Sequence, residues 1–513
     1  MIDKVDNLHE LPKGWAWTSL GKILDFIKGK KPKNLGPKSE ALSIPYIDIE
    51  AFEDRIVNRF TDGIDCALCD TDDLLVVWDG ARCGLVGRGA SGAIGSTLGK
   101  LVHYEMDSSY LFYFLQSMYG HINKRPRGVG IPHVEPNTFW NINIPIPPHG
   151  EQKRIVAMLE ELFARLDAGV GALRKVKAQL KRYRQAVLKY AFEGKLTEKW
   201  RKNHRDLIEP ASQLVNSIIK GNLAEWENDQ LLQVKKSRQD QKNHLLEKKY
   251  KQPLLPSTST QAGLPEYWAW VTADQLFWSI TSGSRGWAKY YSEEGAFFVR
   301  VGDLSHDNIS IDLKSAQHVN PPDGAELRRT RVSSGDILIS ITADIGRIAL
   351  VPIGIKEAYI NQHVALAKSV SLFSHSHLAW FLLSPIGQKQ LTGLQYGATK
   401  AGLGLDDIRR VNIPLAPLVE QYEIVEEIER RLSVLTEAEK VIEQNLKRAN
   451  SLRQSILGTA FEGRLVPQNP EDEPADKLLE RIREERAKSM GEKNTNKRRK
   501  NKLRQLELST YVK

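Results

Sequence analysis

The most regular pattern in the chain is a stripe of apolar residues whose spacings alternate between four and three. It runs through Ile155, Leu159, Leu162, Leu166, Leu173, Val176, Leu180, Tyr183 and Val187, with Gly169 in the one skipped slot. That spacing predicts a long helix carrying a coiled-coil seam. A second stripe keeps the same phase through Ile424, Ile428, Leu435, Ala438, Ile442, Ala449, Leu452 and Ile456, but places Arg431 and Asn445 among the apolar positions. Polar groups buried there would set the register at some cost in stability. Each stripe covers roughly 40 residues, enough for a rod of about 60 Å. The simplest partner for each helix is the other. Both end in Phe-Glu-Gly, at Phe192–Gly194 and Phe461–Gly463, where a glycine in the left-handed conformation can stop a helix.

Outside the stripes the pattern changes. Short β-rich runs such as Asp73–Trp78 and Asp336–Ile341 alternate with Gly, Pro and Asn turn signals, which predicts two compact heads of irregular, largely antiparallel strands. The heads and helices belong to one internal duplication. Residues 184–196 and 453–465 align without gaps at an offset of 269, with 8 of 13 positions identical. Asn143-Ile144-Pro145 and Glu151-Gln152 recur at the same offset as Asn412-Ile413-Pro414 and Glu420-Gln421. The amino ends match at an offset of 253, Leu11-Pro12 with Trp15 and Trp17 against Leu264-Pro265 with Trp268 and Trp270, so the second head is about 16 residues longer. The tryptophans read as a structural anchor of each head. A third block, Glu209-Pro210-Ala211, recurs as Glu473-Pro474-Ala475, which makes the C-terminal tail the counterpart of the linker between the repeats.

The expected organisation is therefore α+β: a head at 1–150, a helix at 151–197, a charged and partly helical linker at 198–262, a second head at 263–417, a second helix at 418–466 and a helical, then basic tail at 467–513. Two β-rich heads would be separated by the two long helices. At 513 residues the chain exceeds what one core usually supports. It has no run of 18 apolar residues and begins without a signal-like segment, so a cytoplasmic location away from membranes is the expectation. The formal charge of +10 is concentrated in residues 477–513, where thirteen Lys and Arg face five Glu, leaving about +2 for the rest. Nucleic-acid binding must then be argued from local patches.

Those patches fall at matched places in the two heads. Lys28, Lys30, Lys31 and Lys33 around Gly29 correspond to Ser282, Arg285, Trp287 and Lys289 around Gly283. Such basic, glycine-containing loops can clamp phosphates and give affinity without much sequence information. Asp48 in Ile47-Asp48-Ile49 and Arg300 in Val299-Arg300-Val301 oppose each other in charge on corresponding strands. A carboxylate can accept from cytosine and a guanidinium can donate to guanine, so this position is expected to help each head read a different half-site. A second matched pair of loops carries Lys124, Arg125 and Arg127 in one head and Tyr396 with Lys400 in the other.

Catalytic signals are weak. Asn320-Pro321-Pro322-Asp323 lacks the aromatic residue an amino-methyltransferase would stack on its base, and reads as a turn. Gly95–Leu101 has the wrong spacing for a phosphate-binding loop. Cys66, Cys69 and Cys83 lack a second ligand pair and read as free thiols. Self-sufficient methyltransferases or nucleases, and coiled-coil scaffolds or transcription regulators, remain the alternatives.

The Asn-Ile-Pro segments followed by Glu-Gln, together with the paired Phe-Glu-Gly-Lys/Arg-Leu helix ends, resemble the specificity subunits of type I restriction-modification systems over essentially the whole chain. His149-Gly150 and Ala416 depart from the usual residues at their positions. The resemblance implies two target-recognition domains with pseudo-two-fold symmetry, separated by two long helices forming an antiparallel coiled coil, a bipartite and asymmetric double-stranded DNA target, and no catalysis by this chain. It also implies two methyltransferase subunits and restriction-translocase subunits as partners. S-adenosylmethionine, ATP and magnesium would be bound by those partners, and no cofactor or metal by this chain.

Overall fold

A computed structural model describes residues 10–124, 132–237, 250–257, 263–283, 285–314, 316–393 and 402–491. The two stripes form two helices of 44 residues each, His149–Phe192 and Leu418–Phe461. Both stop as expected. Gly194 and Gly463 take φ of 69° and 70°, and the following N–H groups, of Lys195 and Arg464, donate back to Tyr190 O and Thr459 O at 3.0 Å. This is the paired hydrogen bonding of a glycine-terminated helix.

The chain folds as two compact units. One consists of residues 1–173 and 443–513, the other of 174–442. The boundaries thus lie inside the long helices, not at their starts. Each unit contains a head, the first part of one long helix and the last part of the other.

Each head is built on the same frame. In the first, a four-stranded antiparallel sheet has the order Leu24–Lys28, Leu98–His103, Leu74–Val77, Val86–Arg88. In the second the order is Phe277–Ser282, Val364–Ser369, Ile337–Ser340, Ile348–Leu350. The central strands, LLVV and ILIS, are buried throughout, as expected of a strand covered on both faces. A second sheet in each head contains a parallel pair, Ile44–Ile47 with Gly92–Ile94 and Ala296–Val299 with Ala358–Ile360. A two-stranded ribbon closes the frame, Ala16–Ser19 against Asn143–Ile146 and Ala269–Thr272 against Asn412–Leu415.

The extra length of the second head has a definite place. From Ile47 to Leu74 the chain advances 27 residues, whereas from the equivalent Val299 to Ile337 it advances 38. Most of the insertion therefore hangs off one strand end.

The repeated sequence blocks are the joints of each unit. The indole Nε1 of Trp15 donates to Glu151 Oε2 at 3.0 Å, and that of Trp268 to Glu420 Oε2 at 2.9 Å. Gln152 and Gln421 accept from the backbone N–H groups of Asp107 and Ser374, and donate to the carbonyls of Pro147 and Ala416. All four Glu and Gln side chains are buried, so each unmade bond would cost about 1–3 kcal/mol. Pro12 and Pro265 lie so close to Gly463 and Gly194 that a Cβ there would overlap the proline ring. The third block has the same logic: Ala211 N donates to Tyr267 O and Ala475 N to Gly14 O. The helix over 475–491 thereby docks on the first head, as Ala211–Ser237 does on the second. The start of the basic tail is thus part of a core, with Ala475, Leu478 and Ile482 buried.

Within each unit the long helices run antiparallel. Arg184 reaches Thr436 and Glu439 while Thr197 reaches Glu420. In the other unit Arg453 pairs with Asp167 while Gln468 reaches Glu151. Arg184 and Arg453 are repeat equivalents, so the arginine of the duplicated motif is a tie between helices. The stripe is buried against a head core at Ile155, Leu159, Ile424, Ile428 and Leu435, and Ile442 is buried as well. Leu162, Leu166, Leu173, Leu180 and Ile456 are half-buried. Four stripe positions do not face inward: Val176, Tyr183 and Leu452 are 42%, 46% and 48% exposed, and Asn445 is exposed, with Leu446 turned inward beside it. A helix of 3.6 residues per turn drifts from a 3.5 repeat, so a straight pair cannot keep every heptad position inside. Arg431 is half-buried, pairs with Glu427 of its own helix and donates across to the Tyr183 hydroxyl of the other at 3.4 Å.

Candidate nucleic-acid interface

Both glycine loops grow from the same point of the frame. Gly29 and Gly283 follow the first strand of the main sheet and press against the carbonyls of Ile94 and Ile360, the ends of the parallel pairs. A Cβ at either position would lie 2.5 Å or less from those oxygens, so only glycine fits. Lys30, Lys31 and Lys33 stand exposed on the first loop, Arg285 and Lys289 on the second. Ser282 is half-buried at the second loop's root, and Lys289 lies 4.8 Å from the ring centre of Tyr290. Trp287 requires correction. It is 5% exposed and stacks on Phe298 at 5.1 Å in a small core with Tyr359, so it supports its loop and offers no face to a ligand.

Asp48 and Arg300 are structural equivalents, each one residue beyond the paired residues Ile47 and Val299. They lie just past the strands, not in them. Asp48 caps the helix Ile49–Glu53 by accepting from Ala51 N, and its other oxygen accepts from Arg59 at 2.5 Å. That hydrogen bond pushes the Arg59 guanidinium above its ordinary value. The charge opposition expected at this position is therefore cancelled on one side, and the cation there is Arg59, half exposed. Arg300 is half-buried, with its N–H donating to Asp303.

Lys124 is exposed at the C-terminal end of the helix Ser108–Asn123. Arg125, Arg127, Tyr396 and Lys400 lie outside the described residues.

The structure joins Lys28 to two residues, and gives the second head a cluster, that no motif marked. In the first head Lys28 Nζ lies 2.5 Å from Asp79 Oδ2, and His133 Nδ1 lies 2.7 Å from Asp79 Oδ1. In the second, Thr342 Oγ1 bonds His363 Nδ1, and Gln362 Nε2 lies 2.9 Å from His363 Nε2. Nearby, Asp344 bridges His306 and Arg347, and the bond from His306 holds its carboxyl below the ordinary range. The only sequence clue was positional: Asp79 and Thr342 follow the repeated apolar runs that form the central strands.

The near-miss catalytic motifs are accounted for. Gly95 turns one strand into the next, with Leu98 N donating to its carbonyl, and is not followed by the helix a phosphate-binding loop needs. Asn320 donates to Glu294 O and holds a turn. Burial pushes the Cys69 and Cys83 thiols above their usual range. Among the described residues no cluster has the makings of a metal site, and no helix is long and apolar enough to cross a membrane.

Two copies of one β-rich frame, each packed on its own pair of antiparallel helix segments and differing in their exposed polar residues, define a duplicated recognition protein. A model of the type I restriction modification DNA specificity domain matches residues 12–175 and 327–448, and the chain belongs to that family. It is similar to the specificity subunit of the type I restriction enzyme EcoBI of Escherichia coli, 27% identical over 398 residues that cover 76% of this chain and 74% of the relative. The StySPI specificity subunit of Salmonella potsdam is 26% identical over 539 residues, covering 96% and 100%. A solved chain from a type I restriction-modification assembly shares the fold, with a TM-score of 0.60, 18% identity and coverage of 89% of this chain and all of that one. The chain is accordingly a DNA-specificity component of such a system, a recognition subunit and not a catalyst.

Proposed function

We propose that each head reads one half of a bipartite, asymmetric duplex target and that the chain directs two methyltransferase subunits and the restriction-translocase subunits to it. The observation that carries this reading is the contrast inside the duplication. Both heads keep the same strand order and the same buried joints, while the exposed polar groups at equivalent places differ. A repeat used only as a scaffold has no need of that divergence. The exposed cations of the glycine loops, Lys30, Lys31, Lys33, Arg285 and Lys289, would hold phosphates, and polar groups at the roots of those loops would discriminate between bases. S-adenosylmethionine, ATP and magnesium belong, on this reading, to the partner subunits, in the cytoplasm.

The test is to co-express the chain with candidate methyltransferase subunits and map methylated adenines by single-molecule sequencing. A split motif with two different halves is expected, and the purified chain alone should transfer no methyl groups. A contiguous motif, or methyl transfer by the unaided chain, would overturn the proposal.

A further inference from the structure

The two side-chain networks beside the glycine loops occupy one and the same backbone site. Trp78 N donates to Thr97 O at 2.8 Å and Ile341 N to His363 O at 2.9 Å; Val134 N donates to Trp78 O and Leu403 N to Ile341 O, both at 2.9 Å. Isolated bridges pair Asp79 with His133 and Thr342 with Gly402. These bonds equate Asp79 with Thr342, Thr97 with His363 and His133 with Gly402, and the loop roots equate Lys28 with Ser282. Every one of these four pairs differs in chemistry. The buried joints, Trp with Glu and Gln with backbone, are by contrast the same in both units. Change confined to partly exposed side chains on an unchanged backbone marks a site for contacting something variable.

The hydrogen bonds say what each site presents. In the first head the Asp79 carboxylate, an acceptor, is enclosed by Lys28 and His133. Lys28 has three donors and uses one on Asp79, and its side chain and that of His133 are 38% and 45% exposed. The outward character is that of a cationic donor. In the second head the Gln362 amide Nε2–H donates to His363 Nε2, which places the ring hydrogen on Nδ1 and directs it to Thr342 Oγ1. The Thr342 hydroxyl hydrogen and the Gln362 Oε1 acceptor remain. That site is neutral and offers a donor with an acceptor. Guanine shows two acceptors in the major groove, whereas adenine shows one acceptor and one donor.

We propose that Lys28 is a base-reading residue that selects guanine in one half-site, and that Gln362 with Thr342 selects adenine in the other. This rests on the duplex-reading function proposed above. Asp79, His133 and His363 would be positioning residues that aim these groups.

The test uses the full chain assembled with a methyltransferase subunit, with the genomic motif read from wild type, Lys28→Gln and Gln362→Glu. Lys28→Gln should cut the preference for guanine about 10- to 100-fold at a single position of one half-site and leave the other half unchanged. Gln362→Glu should exchange adenine for cytosine at one position of the opposite half, because a carboxylate can only accept. Uniformly weaker methylation with no relaxed position would make these phosphate contacts and overturn the inference, as would an unchanged motif. Lys28→Arg, which keeps a cationic donor next to Asp79, should retain guanine, and Gln362→Asn should weaken the adenine preference. This pair decides the matter if either first variant fails to fold. A wild-type complex without a split motif would sink the functional proposal itself, whereas a split wild-type motif with unaltered variants would sink only the assignment of these residues.

Discussion

Glu151 and Glu420 hold the same place in the two units and share an equivalent tryptophan donor, yet their remaining partners differ. Glu151 accepts from Trp15 and from the Gln468 amide at 3.3 Å, both neutral donors. Glu420 accepts from Trp268 and Thr197, and pairs with Arg201 at 2.9 Å. A second exchange lies close by. Tyr110, beneath Phe461, donates its hydroxyl to Pro145 O at 2.7 Å. Its equivalent His377 lies beneath Phe192 with neither ring nitrogen hydrogen-bonded to any described group. The duplication thus preserves shapes and joints while the charge inside them has been redistributed, and the two units should respond differently to the same perturbation.

The largest difference should come from Arg201. It is 12% exposed beside a fully buried carboxylate, so Arg201→Met leaves an uncompensated charge and should cost the second unit about 3–5 kcal/mol in denaturant unfolding. Gln468→Leu, the matching lesion in the first unit, removes two neutral bonds, to Glu151 and to the Gly463 carbonyl, and should cost about 1–3 kcal/mol. Equal losses would mean that the two carboxylates are held alike.

His377 should make the second unit sensitive to acid. Burial pushes its pKa from 6.5 down to about 3, so the folded state binds its proton less readily than the unfolded one. Stability is then present above pH 6.5 and lost as the pH falls towards 3. At pH 4 the loss is about 3 kcal/mol. His377→Tyr, which copies the first unit, should abolish most of it in pH-dependent thermal unfolding.

Glu151 carries the opposite sign. Burial raises its pKa above the ordinary 4.5, so its contribution is complete below pH 4.5 and declines as the pH rises through the folded value. Glu151→Gln should flatten the first unit's stability profile above pH 4.5, and a slope unchanged by the substitution would assign it to other groups.

The smallest expected effect concerns affinity. Removing a single loop cation, Lys31→Ala in the first head or Lys289→Ala in the second, should lower the slope of log binding constant against log salt by about 0.9 without altering the motif. A changed motif would make that lysine a base reader.

The residues behind these expectations differ in how far the sequence announced them. Helix ends, joints and the frame of the heads were legible because they are repeated: Phe-Glu-Gly, Glu-Gln and the paired tryptophans recur at constant offsets, and period and turn chemistry name their elements. The loops were legible as basic segments, since glycine and lysine mark an exposed approach. Trp287 misled because it sits between cations in a glycine-containing loop, and only packing shows that its ring is spent on Phe298. Asp48 misled because a lone carboxylate in sequence carries a charge that Arg59, eleven residues on, cancels in the fold.

By itself the sequence determined that two β-rich heads alternate with two long helices, where each helix stops, and that the heads diverge where the helices do not. Periodicity, offsets and glycine positions are local or repeated signals, readable without coordinates. Only the tertiary structure decided that each unit is completed by the far end of the other helix, that the start of the basic tail is core, and that Lys28, Asp79 and His133 meet, as Thr342, Gln362 and His363 do. Those contacts join segments far apart in the chain through backbone pairing, and polar groups so joined acquire their donor and acceptor character from their neighbours, which no linear pattern records.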